Sequence, residues 1–411
     1  MAEKLIGACV FAQSGGPTAV INASAYGVIR AALASDEITN VYAARHGIVG
    51  VMAGEMFDIG SEDPDELALL PQTPSSAFGS CRHKLRDPDD DESDYIKILD
   101  TFRKYNVRYF FYNGGNDSMD TCEKVSRFFA RNDYDCRVIG VPKTIDNDLV
   151  GTDHCPGFAS AAKYIATSVA EICMDNRVYN TPSVTIVEMM GRHAGWLTGA
   201  AALAEISGAA PDLIYLPEAA FDMDKFLSDV GRVYDGTGKC LVAVSEGVAY
   251  SDGTFVSEAE QSFTDGFAHA QLGGLANMLC GVVKQRLDVK TRGIELSLLQ
   301  RCAAHCASKT DVDEAIAVGE FAVKSAIAGE SGKMAAINAS REGGYSFAAA
   351  LMPLTAAANR EKKVPREWIN ADGNYVTREF IDYALPLVNG EPPRVTENGL
   401  PRFARLKKVL V

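Results

Sequence analysis

Residues 142–148, Pro-Lys-Thr-Ile-Asp-Asn-Asp, bring an amine, a hydroxyl group and two carboxylates into one short segment. The apolar run before it, residues 138–141, is typical of a buried strand. Transfer of a phosphoryl group to an alcohol needs a carboxylate as proton acceptor, a cation beside the transferring group and oxygens for Mg²⁺. Asp146 and Asp148 are candidates to divide the roles of base and metal ligand. A turn in which Asp and Asn only cap their own backbone is the alternative for this segment alone.

Two glycine-containing loops, residues 14–16 and residues 114–118, each lie between an apolar run and a helical pattern. Glycine lets the backbone approach an anion closely, and the free N–H groups at the start of a helix favour phosphate. A tight strand-to-helix turn without a ligand explains either loop equally well. Two such loops in one half of the chain favour phosphate binding, with Gly15 and Gly16 as candidate contacts.

The net charge of the 411 residues is −14, which disfavours nucleic acid and anionic membranes as partners. A phosphorylated substrate then requires a local cationic pocket. The candidate cations are Arg82, Arg192, Arg292 and Arg301, although each alone is typical of a solvent-exposed charge. The sequence has no apolar run of about 18 residues that would span a membrane. It also lacks a signal-peptide pattern, so we expect a cytoplasmic protein.

Several other binding motifs are missing from the sequence. Gly238-Lys239 and Gly332-Lys333 resemble the end of a P-loop, but both lack its first glycine and the Ser or Thr after the lysine. No G-x-G-x-x-G sequence indicates a dinucleotide site. The ten cysteines form no C-x-x-C pair, so neither a disulfide framework nor a zinc ribbon is indicated.

The polar loops must be positioned by the elements around them. A short apolar run, a glycine-rich or polar loop and a helical stretch alternate many times along the chain. This alternation predicts an α/β protein of two Rossmann-like lobes with mostly parallel sheets. Ligands of such sheets bind beyond the carboxyl ends of the strands, which is where these loops are expected to lie.

Five segments in this order resemble the phosphofructokinase family over roughly residues 5–310. They are Ser14-Gly15-Gly16, the Gly-Gly-x-x-Ser loop at 114–118, Thr-Ile-Asp-Asn-Asp at 144–148, Met190-Gly191-Arg192 and Gln300-Arg301. The resemblance implies a phosphofructokinase-type fold. It also implies that phosphate is transferred to the 1-hydroxyl of fructose 6-phosphate, and that Asp146 is the base.

The family's functional positions can be carried over residue by residue. The resemblance implies Asp146, Lys143, Thr144 and Arg192 in catalysis; Gly15, Gly16, Arg82 and Lys143 in binding the phosphoryl donor; and Thr144, Ile145, Asp146, Met190, Gly191, Arg192, Glu246, Arg292, Gln300 and Arg301 in binding fructose 6-phosphate. Arg292 is expected to reach in from a neighbouring subunit of a homodimer or homotetramer.

Two positions concern the phosphoryl donor. ATP-dependent members of the family usually have glycine at the positions of Asp117 and Lys143, whereas pyrophosphate-dependent members resemble this chain at both. A side chain at Asp117 occupies space near the nucleotide's α-phosphate and brings like charge towards it. Lys143 offers a cation to a small donor. Pyrophosphate is therefore the expected donor, with an ATP-dependent enzyme or a catalytically silent regulatory subunit as alternatives.

The chain departs from the family pattern at three positions. Asn116 stands where many members have a Mg²⁺-binding aspartate, so the site loses a charge there. The expected metal residues are Asn116, Asp117 and Asp148, with binding shifted towards the two aspartates and the substrate oxygens. Ser183 stands where bacterial ATP-dependent members have a phosphate-binding arginine. Tyr26 stands at the position of an effector-site arginine, so we expect an enzyme that is not allosteric.

The predicted domain organisation follows the order of the motifs. Residues 1–150, completed by helices from about 301–345, form the expected phosphoryl-donor lobe. Residues 151–300 form the expected fructose 6-phosphate lobe, and residues 346–411 a C-terminal extension that packs on both.

Overall fold

The secondary structure comes from a computed structural model that describes residues 5–259, 274–357 and 360–411. The strands are β1 Gly7–Gln13, β2 Ile38–Ala44, β3 Met56–Asp58, β4 Val107–Gly114, β5 Arg137–Pro142, β6 Ser183–Met189, β7 Leu213–Tyr215, β8 Lys239–Ser245, β9 Thr291–Glu295, β10 Lys333–Ser340, β11 Ser346–Pro353, β12 Thr396–Glu397 and β13 Leu400–Pro401. The α-helices are α1 Ile21–Leu33, α2 Ile48–Ala53, α3 Pro64–Leu67, α4 Ser93–Lys104, α5 Asn116–Arg131, α6 Phe158–Arg177, α7 Trp196–Gly199, α8 Met223–Thr237, α9 Val256–Ala259, α10 Leu275–Leu287, α11 Leu299–Cys302, α12 Lys309–Ile327, α13 Leu354–Ala357 and α14 Arg378–Ala384.

The chain divides into two compact units. The first unit comprises residues 1–160, 301–361 and 390–411, and the second comprises residues 161–300 and 362–389. Residues 346–411, expected as one C-terminal extension, are therefore distributed over both units. Within the described ranges, no helix is long and apolar enough to cross a membrane.

The first unit is built on a seven-stranded sheet with the order β11-β10-β5-β4-β1-β2-β3. The inner strands run parallel, while β11 and β3 are antiparallel to their neighbours. All seven residues of β1 are buried, as expected for a parallel strand covered on both faces. Alternate residues serve opposite faces: Val10 packs with the α4 and α5 side, and Phe11 with the α1 and α12 side.

The second unit contains a parallel four-stranded sheet with the order β7-β8-β6-β9. Apolar side chains of α8 and α10 cover one face of this sheet. Residues 362–389 join this unit through an aromatic cluster in which Trp196 lies 5.9 Å from Phe380 and 5.1 Å from Tyr383, measured between ring centroids. The predicted α/β class with mostly parallel sheets is confirmed.

Candidate active site

The three loops with reactive side chains in the first unit follow adjacent strands. Gln13, the last residue of β1, is paired with Asn113 of β4, and Gly114 at the end of β4 is paired with Pro142 at the end of β5. This register brings residues 14–16, 115–118 and 143–148 to one edge of the sheet, as the parallel arrangement predicts.

Lys143 joins two of these loops. Its Nζ donates hydrogen bonds to the carbonyl oxygens of Ser14, at 2.9 Å, and Gly16, at 2.6 Å. Its backbone N–H donates to the carbonyl of Gly114 at 3.0 Å. The residue is only 2% exposed, and burial lowers the pKa of its amine to about 8. The amine is therefore a desolvated cation at the junction of the glycine loops.

Two arginines lie beside the first glycine loop. A Cβ atom placed on Gly16 would lie 3.2 Å from a guanidinium nitrogen of Arg301, so this arginine faces the glycine directly. The loop that carries Arg82 is hydrogen-bonded to the first glycine loop: the N–H of Gly15 donates to the carbonyl of Cys81 at 3.0 Å. Both arginines help to lower the pKa of Lys143, after its burial. The predicted donor residues Gly15, Gly16, Arg82 and Lys143 thus lie close together, with the carboxylates of Asp146 and Asp148 also acting on the Lys143 amine.

Residues 144–148 form a tight turn after β5. The N–H of Asp146 donates to the Thr144 hydroxyl at 3.1 Å. Asn147 is buried with a φ of +55°, and its Oδ1 accepts a hydrogen bond from the N–H of Cys155 at 3.0 Å. Ile145 is buried and Asp146 is half-buried. The contact of Asn147 with Cys155 therefore fixes the turn, in which Asp146 as a residue is only partly buried.

The side chains of Asn116, the first residue of α5, and Asp148, in the turn after β5, contact each other. The Asn116 Nδ2 donates to the Asp148 Oδ2 at 3.0 Å. The other oxygen of each side chain, Asn116 Oδ1 and Asp148 Oδ1, is buried and has no hydrogen-bond partner within the described residues. Burial raises the pKa of Asp148. Two buried oxygens without partners fit a hard divalent cation, which takes oxygen ligands and would keep the carboxylate ionised.

Asp117, the third predicted metal residue, points elsewhere. Its side chain is 75% exposed and its Oδ1 lies 3.3 Å from the Nζ of Lys84. Sequence reasoning did not single out Lys84, although its position two residues after Arg82 was a usable signal. The structure thus brings two of the three predicted metal ligands together, and it places the third in a solvent-exposed ion pair.

A buried charge network lies behind the turn. The His154 Nε2 lies 2.5 Å from the Glu314 Oε2, and its Nδ1 lies 2.9 Å from the Asp153 Oδ1. Arg341 contacts both oxygens of Asp153 at 2.9 Å, and the Tyr345 hydroxyl donates to Glu314. The network belongs to the first unit and anchors the segment that supports Asn147. Sequence analysis did not find it, because its members are distributed along the chain between residues 153 and 345 without a motif.

The buried charge network makes stability depend on pH. Although burial opposes it, hydrogen bonds to Asp153 and Glu314 raise the pKa of His154. Its stabilising contribution is complete below the ordinary histidine pKa and is lost as the pH rises through the raised pKa. As the pH rises from the ordinary histidine pKa through the raised pKa of His154, we expect the free energy of unfolding of the wild type to fall. The fall should be much smaller for His154→Gln.

Urea unfolding between about pH 6 and about pH 9 measures this difference. His83→Gln is the control, because His83 also contacts an aspartate, Asp94 at 2.9 Å, but is partly exposed. Equal pH dependence in the wild type and His154→Gln would contradict the assignment.

The second unit brings together four of the predicted sugar-phosphate residues. The N–H of Met190 donates to the Gln300 Oε1 at 3.3 Å, and the N–H of Gly191 donates to the Glu246 Oε1 at 3.1 Å. A φ of +135° at Gly191 explains why glycine is required there. Met190 and Gly191 follow the end of β6 and Glu246 follows the end of β8, two paired strands, whereas Gln300 lies in α11. Burial raises the pKa of Glu246.

The two predicted site arginines of this unit, Arg192 and Arg292, differ in position. Arg192 follows Gly191 and its guanidinium lies over the Phe255 ring, 5.2 Å from the centroid. Arg292 is paired in register with Thr185, four residues before the end of β6, which corresponds to about 13 Å along the strand. Its side chain is 61% exposed and lies 3.6 Å from Asp175. Arg292 is therefore not part of the cluster around Met190 and Gly191 in the same subunit.

Comparison with known proteins shows the class to which this fold and site belong. A phosphofructokinase family model matches residues 8–326, and the chain belongs to the phosphofructokinase family. A Halomonas elongata protein named pyrophosphate--fructose 6-phosphate 1-phosphotransferase is 46% identical, over 97% of this chain and 96% of its own length.

Two solved structures of pyrophosphate-dependent phosphofructokinases are also similar to this chain. The crystal structure of a pyrophosphate-dependent phosphofructokinase from Marinobacter aquaeolei is 42% identical with a TM-score of 0.89, covering 99% of this chain and 97% of that one. The corresponding structure from Nitrosospira multiformis is 40% identical with a TM-score of 0.90, covering 98% of both chains.

Proposed function

We propose that this protein is a pyrophosphate-dependent phosphofructokinase, which transfers a phosphoryl group from pyrophosphate to the 1-hydroxyl of fructose 6-phosphate. The products are fructose 1,6-bisphosphate and phosphate, and the reaction runs in both directions. The observation that carries the proposal is the buried amine of Lys143, held against the Ser14 and Gly16 carbonyls at the strand ends. Relatives and solved structures with pyrophosphate-dependent names match nearly the whole chain.

The first unit supplies the donor site and the base. The loop of Gly15 and Gly16, with Arg82 and Lys143, binds pyrophosphate, because it combines a glycine loop before a helix with the exposed guanidinium of Arg82 and the buried amine of Lys143. Lys143 stabilises the charge that develops on the transferring phosphoryl group. Asp146 accepts the proton of the sugar hydroxyl, and Thr144 orients Asp146.

Mg²⁺ is the proposed metal, and Asn116 and Asp148 are its proposed protein ligands. The two buried oxygens without partners support this choice. When bound, the ion neutralises charge on the donor oxygens. Asp117, paired with Lys84, is assigned to donor selection instead of metal binding.

Fructose 6-phosphate is assigned to residues of the second unit, to residues 144–146 and to Arg301. The proposed contacts are Thr144, Ile145, Asp146, Met190, Gly191, Arg192, Glu246, Arg292, Gln300 and Arg301. Arg192 is also assigned to catalysis, by charge stabilisation. The lack of a motif for membrane or nucleic acid binding supports a cytoplasmic enzyme. Tyr26, at the position of the effector-site arginine, supports hyperbolic kinetics with little response to ADP.

A coupled assay with the purified chain tests the proposed function. Formation of fructose 1,6-bisphosphate is followed with pyrophosphate or ATP as donor, in the presence of Mg²⁺. We expect turnover with pyrophosphate and near-zero turnover with ATP. Preference for ATP would make the chain an ATP-dependent enzyme, and inactivity with both donors would favour a regulatory subunit.

Arg292 is proposed to act in the active site of a neighbouring subunit of a homodimer or homotetramer. Its position away from Met190 supports this, as do exposed apolar residues on either side of Asp175 in the sequence: Met174, Val178 and Tyr179. Mixing inactive Asp146→Asn and Arg292→Ala subunits should restore about a quarter of the wild-type rate, since mixed dimers contain one intact site. No recovery after verified subunit exchange would place Arg292 in its own subunit's site.

Asp117 is proposed to exclude nucleotides. Asp117→Gly removes a side chain and a charge at the start of α5, so ATP use should rise from near zero while pyrophosphate use falls only partly. Asp117→Asn keeps the size and removes the charge, which separates the two effects. The measurement is kcat/KM with each donor. An equal loss on both donors in Asp117→Gly would contradict this role.

A further inference from the structure

Two buried amide side chains lie on either side of the first glycine loop in the sequence. Gln13 ends β1 and Asn22 lies in the first turn of α1, and both are 0% exposed. The Gln13 Nε2 donates to the Asn22 Oδ1 at 2.9 Å. Neither residue was singled out by motif, yet both are polar residues at buried positions of the fold.

The two amides bind a single stretch of backbone, residues 73–78. The Asn22 Nδ2 donates to the carbonyls of Thr73, at 2.8 Å, and Ser75, at 2.6 Å. The Asn22 Oδ1 also accepts from the N–H of Ala77 at 2.9 Å, and the Gln13 Oε1 accepts from the N–H of Phe78 at 3.1 Å. Reversing either amide would place donors against donors, so the network itself fixes both orientations.

This stretch leads into the loop that carries Arg82. Ser75 has a φ of +66°, a conformation that costs energy for a residue with a side chain and that persists where contacts enforce it. Three residues after Phe78, the carbonyl of Cys81 accepts from the N–H of Gly15, and the Ser80 hydroxyl donates to the Gly15 carbonyl at 2.6 Å. The amide pair and these contacts hold the loop at both ends.

We propose that Gln13 and Asn22 are positioning residues for the diphosphate site, which set the place of Arg82 relative to Gly15 and Gly16. This inference rests on the proposed function. The pair does not touch the donor; it fixes the backbone from which the arginine extends. Loss of the pair therefore affects pyrophosphate binding and leaves the binding of fructose 6-phosphate unchanged.

Asn22→Asp is the sharpest variant. It keeps the side-chain shape and the Oδ1 acceptor. In place of the Nδ2 donor, however, it puts an oxygen against the two carbonyls to which Nδ2 donates in the wild type. We expect the KM for pyrophosphate to rise about tenfold or more, while the KM for fructose 6-phosphate changes less than about twofold. Gln13→Met, which keeps length but loses both hydrogen bonds, should shift the same constant.

Asn374→Asp is the matched control. Asn374 is also a buried amide with a donor bond, to the Asp229 Oδ2 at 2.8 Å, but it lies in the second unit. It should lower the melting temperature without a selective change in the KM for pyrophosphate. This separates loop positioning from general destabilisation.

Hydrogen exchange of residues 73–82 provides a readout that does not depend on activity. Faster exchange confined to this segment in Asn22→Asp, together with the selective KM change, supports the inference. Slow exchange as in the wild type, or an unchanged KM for pyrophosphate in a folded variant, would overturn it. If the wild type used no pyrophosphate at all, the proposed function would fall, while the exchange result would still decide whether the amides hold this loop.

Discussion

Asp146→Asn should lower the forward rate by about 10²–10⁴-fold, with only a modest change in affinity for fructose 6-phosphate. The asparagine keeps the shape of the side chain but cannot accept the proton of the sugar hydroxyl. Asp146 follows β5 in a turn fixed by Thr144 and by buried Asn147, so the substitution leaves the backbone in place. Initial rates at saturating pyrophosphate and sugar phosphate measure the effect.

Asp146→Glu keeps a carboxylate but shifts it by one methylene, so it should retain more activity than Asp146→Asn. Thermal unfolding of both variants checks that the turn is intact. An Asp146→Asn protein that kept more than half of the wild-type rate would remove Asp146 from the role of base.

Lys143→Met should reduce turnover with pyrophosphate by about 10²–10³-fold, without any gain with ATP. The substitution removes a desolvated cation and leaves the Ser14 and Gly16 carbonyls without their donor. Both consequences weaken the proposed donor site, because the amine holds two carbonyls of the first glycine loop and, in the proposed function, stabilises the transferring group. The side chain of Asp117 remains, so the exclusion of ATP should persist. The measurement is kcat/KM with each donor.

Lys124→Met is the control for loss of a lysine that is largely, though not fully, buried. Lys124 pairs with Asp120 at 2.6 Å in the same unit, but it lies on α5 two turns beyond Asn116. It should lower stability with little effect on turnover. Appearance of ATP use in Lys143→Met, or a loss no greater than in Lys124→Met, would contradict the role of Lys143.

The elements that carry the candidate site could be predicted from local sequence patterns. The apolar runs before residues 14, 113 and 142 have the length of buried strands, and each is followed by glycine or Asx residues. Strands β1, β4 and β5 confirm these elements with ends that differ by one or two residues. Since parallel strands present their carboxyl ends at one edge, the sequence by itself determined which loops would carry the reactive groups.

The tertiary structure alone decided which side chains meet. The Lys143 amine contacts carbonyls 129 and 127 positions away in sequence, and His154 contacts Glu314 across 160 positions. Strand order and helix packing set these contacts, and neither is encoded in local periodicity. A hydrogen bond forms only within about 3 Å, so small differences in packing decide whether two groups pair. For this reason the sequence did not show that Lys84 contacts Asp117 or that Gln13 contacts Asn22.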